Sequence, residues 1–234
     1  MQIFYAPDII GDSYTLDQKE SRHLIRVLRM PAGAEVKLID GDGNLYEGII
    51  SKPDQNKCII GIKSKVHDFE KRNYRLHIAI SPLKNTERFE WFVEKTVEIG
   101  IDEITPLICK YTEKRVIKAE RINNIIISAM KQSLKAKKPI LNSPCQFDEF
   151  LNSNTATSKM IAHCNNSFSR KKISEVCLKN EDITILVGPE GDFDISEIKN
   201  AMMKGFVPVH LGQSRLRTET AGIAACYSVY FINQ

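Results

Sequence analysis

The chain has 234 residues, with 42% hydrophobic and 26% charged residues and a formal net charge of +4. This composition is typical of folded globular proteins and excludes the disordered and fibrous classes. Because no apolar stretch approaches the roughly 20 residues that span a bilayer, and because the N-terminus lacks the features of a signal peptide, we expect a cytoplasmic protein with no membrane partner.

The positive charge is distributed unevenly. Residues 73–140 hold 13 basic and 8 acidic side chains, whereas the segments on either side are close to neutral. The excess is densest at Lys131-Gln132-Ser133-Leu134-Lys135-Ala136-Lys137-Lys138. This run is either a solvated helix end, where lysine suits the helix dipole, or a patch that contacts phosphates. The six cysteines are widely spaced without a C-x-x-C pair, so we expect neither a metal site nor a disulfide framework.

The first 70 residues have a mostly β pattern. A short strand is predicted over residues 2–6, and Asp17 with Glu20 forms a capping-box pattern for a helix that runs to about Arg29. Strands are then predicted over residues 35–39, 45–51 and 58–65, separated by turn-forming sequences. Short strands joined by tight turns favour a compact barrel. The charged segment 67–73 is the predicted domain boundary.

From Tyr74 onwards, strands and helices alternate, which predicts an α/β domain with a largely parallel sheet. The predicted strands cover residues 75–81, 103–109, 159–164, 183–187 and 207–211. The predicted helices cover residues 86–99, with Thr86 as the cap and Gly100 at the end, and residues 119–134, 171–179, 195–204 and 219–232.

Three of these predicted strands end in segments that could carry chemistry, because open α/β sheets bind ligands at the carboxyl ends of their strands. They lead into residues 162–165, the Gly188-Pro189-Glu190-Gly191 loop and residues 211–221. The glycine loop alone is typical of a tight turn, and Thr218 with Glu219 is typical of a helix start. Arg215 and Arg217 are less easily explained, because arginines between a buried strand and a buried helix usually meet an anion or a carbonyl-rich ligand.

Four motifs together resemble one family. They are His23-Leu24-x-Arg26-Val27-Leu28-Arg29-Met30, Lys84-x-x-x-Arg88 with Glu90, Glu94-Lys95 and Glu98-Ile99-Gly100, the loop at 188–191, and Leu211-Gly212 followed by Leu216-Arg217-Thr218-Glu219-Thr220-Ala221. In this order they resemble the ribosomal RNA small-subunit methyltransferase E family of the SPOUT superfamily, which methylates N3 of a uridine in 16S ribosomal RNA. The chain departs from the family pattern at Asp192, where a glycine is usual, at Ser214-Arg215, and at Leu134-Lys135.

The resemblance implies an α/β fold with an N-terminal PUA-like β-barrel over residues 1–70. A SPOUT methyltransferase domain with a C-terminal deep trefoil knot would then cover residues 74–234. It also implies a homodimer, S-adenosylmethionine as the cofactor, and 16S ribosomal RNA or the small ribosomal subunit as the partner. The implied cofactor-binding residues are His163, Val187, Gly188, Glu190, Gly191, Leu211, Gly212, Ser214, Leu216, Arg217, Thr218 and Ala221.

The resemblance further implies roles for basic residues. Arg217 and Arg215 are the predicted catalytic residues, because they can stabilise the charge that develops on uracil as N3 loses its proton. The predicted RNA-binding residues are Arg26, Arg29, Lys84, Arg88 and Lys135, with Arg26 and Arg29 three residues apart on one helix face.

The chemistry leaves several points open. Methyl transfer from a sulfonium needs no metal, but it needs alignment and a proton acceptor. His210, His163, His23 and solvent are all open as acceptors. Another SPOUT methyltransferase that acts on transfer RNA or large-subunit RNA is an alternative, as is a noncatalytic RNA-binding assembly factor. A nucleotide-binding regulator has little support, because the chain contains no phosphate-binding glycine motif.

Overall fold

The computed structural model describes residues 3–234, and these residues form two compact units. The first unit contains the described residues up to Lys71 together with Met130–Lys138, and the second contains Arg72–Ala129 and Pro139–Gln234. The division after Lys71 falls within the predicted boundary segment 67–73. Gln2, the first residue of the first predicted strand, lies outside the described residues.

The first unit is built on one five-stranded sheet. Its strands are β1 (Ile3–Tyr5), β2 (Ser13–Thr15), β3 (Glu35–Ile39), β4 (Leu45–Lys52) and β5 (Ile59–Val66). Their order in the sheet is β1-β3-β4-β5-β2, with β1 parallel to β3 and the other pairs antiparallel. The alternating apolar residues of these strands pack into one core, which includes Phe4, Leu38, Tyr46 and Ile60.

The helix of the first unit is shorter than predicted. Helix α1 covers only Gln18–Arg22, and the Asp17 carboxylate accepts a hydrogen bond from the Glu20 amide at 2.7 Å, as the capping-box pattern predicts. The chain continues as a π-helical turn over His23–Val27, and Arg29 adopts a left-handed conformation with φ of 52°. The helix cannot continue far beyond this point, because Pro31 disfavours the helical conformation of the residue before it.

A segment of the second predicted domain belongs to the first unit instead. The Lys138 amide donates to the Gly41 carbonyl at 2.8 Å, and the Gly43 amide donates to the Ala136 carbonyl at 3.2 Å. Lys131 and Lys135, in the same segment, form ion pairs inside this unit. These long-range contacts, which local sequence patterns do not encode, group Met130–Lys138 with the first unit.

The second unit is built on a parallel sheet, as predicted. Its strands are β6 (Arg75–Ile80), β7 (Glu103–Ile108), β8 (Ile140–Leu141), β9 (Cys145–Gln146), β10 (Ser158–Ala162), β11 (Lys171–Lys172), β12 (Asp182–Val187) and β13 (Val207–His210). The order is β11-β13-β10-β12-β6-β7-β8, with β9 also paired to β7. Every pairing is parallel, so the carboxyl ends of these strands lie on the same edge of the sheet.

The remaining helices agree with the prediction, with two exceptions. They are α2 (Thr86–Ile99), α3 (Ala119–Ser133), α4 (Phe147–Ser153), α5 (Ile195–Met203) and α6 (Thr218–Ile232). Helix α4 was not predicted, and the predicted helix over residues 171–179 is wrong. That segment instead forms edge strand β11 and a 3-10 turn at Ile173–Glu175, because its backbone pairs with β13. Asn85, not Thr86, caps α2 through a side-chain bond to the Glu87 amide.

Helices α2 and α6 pack closely against each other. A Cβ atom built on Gly222 of α6 would lie 2.5 Å from the Phe92 ring and 2.9 Å from Ile80. These distances are shorter than real carbon contacts, so only glycine fits at this position. This close approach holds the first turn of α6 at the carboxyl edge of the sheet.

Candidate functional site

The loops that follow β10, β12 and β13 enclose a cavity of about 990 Å³ at the carboxyl edge of the second unit's sheet. We call it the carboxyl-edge cavity. Its volume lies in the range of small-molecule and cofactor sites. All of the predicted cofactor residues line it except Gly191, namely His163, Val187, Gly188, Glu190, Leu211, Gly212, Ser214, Leu216, Arg217, Thr218 and Ala221. Gly191 lines a neighbouring cavity, together with Glu190, Lys110 and Tyr111.

The loop after β12 is held by close packing and by one aspartate. A Cβ atom on Gly188 would lie 3.0 Å from the Phe193 ring, which leaves little room for a side chain. Asp192 has a left-handed backbone with φ of 66°. Its two carboxylate oxygens accept hydrogen bonds from the amides of Phe193 and Cys164, each at 2.8 Å. Aspartate therefore serves at the position of the usual family glycine, because it tolerates this conformation and its carboxylate joins two loops.

The loop after β13 presents two exposed arginines to the cavity. Gly212 has a φ of 115°, which favours glycine, and its amide donates to Nδ1 of His210 at 3.3 Å. Arg215 and Arg217 both line the cavity, and neither has an ion-pair partner among residues 3–234. Unpaired guanidinium groups at a cavity wall are available to a ligand that carries negative charge or carbonyl oxygens.

The start of α6 differs from the expectation for Thr218. Arg217 has the extended backbone of an N-cap residue, with ψ of 157°, and no side-chain cap bond. Thr218 is the first helical residue and is buried, so it is not the cap. The residue with non-helical φ and ψ angles defines the cap, and here that residue is one position earlier than predicted.

Two buried polar side chains of the cavity wall lack partners. His163 is 5% exposed, and neither ring nitrogen has a hydrogen-bond partner among the described residues. Burial lowers the pKa of His163, and the charge of Arg170 adds to this effect, although Asp192 opposes it. Glu219 is 6% exposed. Its Oε1 lies 3.8 Å from Nε of Arg88, and its Oε2 has no partner in the described part of the chain.

Such groups are informative because burying a polar atom without a hydrogen bond costs about 1–3 kcal/mol, and more for a charged group. A ligand that supplies the missing donors and acceptors removes this cost. Glu219 was interpreted from the sequence only as an acid in a first helical turn. The signal that could have indicated its burial is the apolar character of α6 on all sides, since such helices are usually enclosed.

The predicted RNA-binding residues fall in both units. In the first unit, Arg26 and Arg29 do not share a helix face, because Arg29 lies beyond the π-helical turn in a left-handed conformation. Both side chains are exposed, and Nε of Arg26 donates to Oε1 of Gln55 at 2.5 Å. Lys135 pairs with Glu70 at 3.0 Å.

In the second unit, Lys84 and Arg88 lie near the carboxyl end of β6, at the edge of the sheet that carries the cavity. Arg88 lines the cavity itself. The Lys84 amide donates to Oε1 of Glu190 at 3.2 Å, and its ammonium group pairs with Glu113 at 3.0 Å. The exposed side chain of Lys84 therefore lies beside the glycine loop.

A second cavity, of about 340 Å³, lies at the amino edge of the same sheet. We call it the amino-edge cavity. Its polar side chains bond to each other: Nε2 of His77 is 2.7 Å from Oγ1 of Thr105, and Asn142 donates to Glu103 and Thr105 at 2.6 and 2.7 Å. Arg75 also pairs with Glu103. Burial lowers the pKa of His77 to about 4, and this outweighs the opposing effect of Glu103.

Among residues 3–234, no group of three or more histidine, cysteine, aspartate or glutamate side chains is arranged to hold a metal ion. No helix in this range has the length and apolar character needed to cross a membrane.

Comparisons with known proteins agree with the two-part α/β fold. Residues 70–229 match the family model of the RNA methyltransferase domain, and residues 16–63 match that of the RNA methyltransferase PUA domain. The protein is thus an RNA methyltransferase by class, with a PUA-like domain and a methyltransferase domain.

Similar proteins narrow the class. The ribosomal RNA small subunit methyltransferase E of Mesomycoplasma hyopneumoniae is 34% identical over 178 residues, which cover 73% of this chain and 75% of the relative. The structure of the enzyme of that name from Neisseria gonorrhoeae, bound to S-adenosyl methionine, is 26% identical with a TM-score of 0.90, covering 100% and 98% of the two chains. A probable rRNA-methyltransferase from Porphyromonas gingivalis is 40% identical, with a TM-score of 0.94 and the same coverage. The chain belongs to the ribosomal RNA small subunit methyltransferase E family.

Proposed function

We propose that the protein transfers a methyl group from S-adenosylmethionine to N3 of one uridine in 16S ribosomal RNA. The observation that carries this proposal is the carboxyl-edge cavity, which gathers the residues of three separate loops that the family resemblance assigns to the cofactor. Membership in the family supports ribosomal RNA of the small subunit as the substrate.

The residues of the cavity fit this cofactor. S-adenosylmethionine supplies a methyl group on a positively charged sulfur, and its adenosine and methionine parts carry both donors and acceptors. The unpartnered ring nitrogens of His163 need such groups. Val187, Leu211 and Leu216 provide apolar walls.

Arg217 and Arg215 are the proposed catalytic residues. As N3 of uracil loses its proton, negative charge develops on N3 and on the two flanking carbonyl oxygens. A guanidinium group cannot act as a base here, but it can stabilise this charge by hydrogen bonds and electrostatic attraction. Both side chains line the cavity without an ion-pair partner among the described residues, so no internal pair has to be broken first.

RNA binding is proposed for both units. The PUA-like first unit would contribute Arg26, Arg29 and Lys135, and the second unit would contribute Lys84 and Arg88 beside the cavity. Charge-assisted contacts of exposed lysine and arginine with phosphates supply most of the affinity in such complexes. Lys135 has to exchange its pairing with Glu70 for a phosphate.

We also propose the finer features of the architecture. The sheet of the first unit would close as a PUA-like barrel over residues 1–70, and residues 74–234 would form the SPOUT domain with a deep trefoil knot at its C-terminus. Helix α6, which would form the C-terminal part of the knot, packs against α2, β6, β12 and the turn at Ile173–Glu175. A cytoplasmic location follows from ribosomal RNA as the substrate.

A homodimer is proposed from the surface of α6. This helix is apolar on all sides, yet Tyr227 and Phe231 are 55% and 70% exposed. A helix of this kind is normally buried on every face. A second copy of the chain that covers these two aromatic side chains would explain the pattern.

The proposed function is tested by mass mapping of small-subunit RNA from a strain that lacks the gene. We expect one N3-methyluridine to be missing and to be restored by the intact gene. Unchanged RNA would overturn the assignment of the substrate. Calorimetry with S-adenosylmethionine then separates the alternatives: binding indicates a methyltransferase that acts on another RNA, whereas absence of binding indicates a noncatalytic assembly factor.

A further inference from the structure

Glu219 is the buried carboxylate of the carboxyl-edge cavity that is least satisfied by the protein itself. It is 6% exposed, and Oε2 has no hydrogen-bond partner among residues 3–234. Its nearest cationic group, Nε of Arg88, is 3.8 Å from Oε1 and therefore beyond hydrogen-bond distance. An acid held in this way is available to accept a hydrogen bond or a proton from a ligand in the cavity.

The other acids of the cavity wall are less suited to that role. Both carboxylate oxygens of Asp192 already accept backbone hydrogen bonds, so both are engaged by the protein itself. Glu190 is exposed to solvent, and its Oε1 accepts from the Lys84 amide. Among the described residues, Glu219 is therefore the cavity carboxylate that combines burial with an unused oxygen.

His163 is the other buried group without partners, but its chemistry is less suitable. Burial and the charge of Arg170 both lower the pKa of His163, so its neutral form is favoured. A proton placed on this ring would create a buried positive charge beside Arg170. A neutral imidazole in the wall is better suited to exchanging hydrogen bonds with the cofactor.

Resting on the proposed function, we infer that Glu219 accepts the proton from N3 of the target uracil. The N3–H bond breaks, and its proton passes to the Glu219 carboxylate. The electron pair left on N3 forms the bond to the methyl carbon, and the carbon–sulfur bond breaks with its electron pair remaining on sulfur. The products are N3-methyluracil, a neutral thioether and a carboxylic acid, so atoms and charges balance.

Charge compensation favours this assignment. Before transfer the cavity holds a cationic sulfonium and the anionic Glu219, and after transfer both are neutral. The step therefore neutralises the sulfonium and the buried carboxylate together, and the cation that loses its counter-charge, Arg88, is partly exposed to solvent.

The charged groups around Glu219 come from several elements. Arg88 on α2 is closest, while Arg215 and Arg217 lie in the loop before α6, and Arg170 lies in the loop after β10. His163, His210, Glu190 and Asp192 complete the titratable wall.

The test compares Glu219→Gln with Glu87→Gln in the full-length protein. Both glutamates lie in the first turn of a helix, but Glu87 of α2 is exposed. We expect Glu219→Gln to lower kcat for methylation of small-subunit RNA by about 100- to 10,000-fold. Its affinity for S-adenosylmethionine by calorimetry should stay close to wild type, Glu219→Asp should recover part of the lost rate, and Glu87→Gln should retain normal turnover.

The outcomes separate this inference from the function on which it rests. A wild-type protein that neither binds the cofactor nor methylates RNA would contradict the proposed function. If the wild-type protein is active and Glu219→Gln has a near-normal kcat, only the role of Glu219 is contradicted. Loss of cofactor affinity in Glu219→Gln would make Glu219 a cofactor ligand and overturn the inference as well.

A pH profile provides a second measurement that does not depend on a large loss of rate. Without the carboxylate, only uracil that has already lost its proton in solution reacts. The single-turnover rate of Glu219→Gln should therefore rise about tenfold per pH unit between about pH 6 and pH 8.5, more steeply than that of wild type. Parallel profiles for the two proteins would assign Glu219 a purely structural role and contradict the inference.

Discussion

The two edges of the parallel sheet in the second unit use similar side chains in opposite ways. At the amino edge, Arg75 bonds to Glu103 and His77 bonds to Thr105, and Asn142 donates to both Glu103 and Thr105. At the carboxyl edge, His163 and Glu219 are more deeply buried but lack hydrogen-bond partners among the described residues, and Arg215 and Arg217 lack ion-pair partners there.

This difference shows why residue type alone does not identify a functional site. A polar network whose members satisfy each other stabilises and orients the fold, and it needs nothing from outside. A set of buried groups without partners costs free energy unless a ligand completes it. We therefore propose a binding role for the histidine, glutamate and arginine side chains of the carboxyl edge and a structural role for those of the amino edge.

The largest difference between the two edges is expected when one arginine at each edge is replaced by alanine and turnover is measured. Arg217→Ala removes a cation that we place at the developing charge on uracil, so methylation should fall by about 100- to 1,000-fold. Because Arg217 is exposed, the free energy of unfolding should change little. Turnover with small-subunit RNA and urea unfolding would measure the two effects.

Arg75→Ala is the matched control at the amino edge, where the guanidinium group pairs with Glu103. It should leave turnover unchanged. A loss of activity in Arg75→Ala as large as that in Arg217→Ala would remove the distinction between the two edges. Near-normal turnover by folded Arg217→Ala would also contradict it.

The next effect concerns the pH dependence of stability at the amino edge. Burial lowers the pKa of His77 from 6.5 to about 4, so the folded protein keeps this ring neutral while the unfolded chain protonates it. Below pH 6.5 the unfolded state binds more protons, and the free energy of unfolding falls as the pH drops towards 4. Between pH 7 and pH 5 this loss should be about 2 kcal/mol.

Urea unfolding of wild type and His77→Gln at both pH values would isolate that contribution. Glutamine does not titrate, so the variant should lose less stability on acidification than wild type. Equal losses in the two proteins would show that His77 is not held neutral by the amino-edge network.

The smallest expected effect is on RNA affinity. Lys84→Gln removes one exposed ammonium group beside the carboxyl-edge cavity, and Lys204→Gln removes one in the loop that leads to the amino end of β13. If Lys84 contacts a phosphate, its loss should reduce the slope of log affinity against log salt by about 1. Lys204→Gln should keep the wild-type slope, and an affinity that is independent of salt would contradict phosphate binding altogether.

The sequence predicted the regular elements of both units where local patterns are strong. Strands β3, β4 and β12 and helices α2 and α6 agree with the prediction to within a residue or so. The missed strands β2, β8, β9 and β11 have only two or three residues each, and tertiary pairing defines them. Helix α4 did carry a signal, since its buried residues Phe147, Phe150 and Leu151 have helical spacing.

The residue types of the candidate site could be predicted from the sequence, but the burial and the pairing of its charged side chains could not. Glycine loops and arginines at strand ends indicated the edge of the sheet at which the carboxyl-edge cavity lies. The burial of Glu219 depends on how the first turn of α6 packs, and the pairing of Lys131 with Glu20 joins residues more than 100 positions apart. Such long-range contacts are absent from local patterns, which is also why the basic run at 131–138 was open to two interpretations.

The most direct test of the central claim is hydrogen exchange of the protein with and without S-adenosylmethionine. Ligand binding at the carboxyl edge should slow exchange in the loops after β10, β12 and β13, including the amides of Cys164, Gly188 and Gly212. The strand residues around His77 and Thr105 at the amino edge should be unchanged. Protection at the amino edge, or no protection at either edge, would contradict the assignment of the carboxyl-edge cavity as the cofactor site.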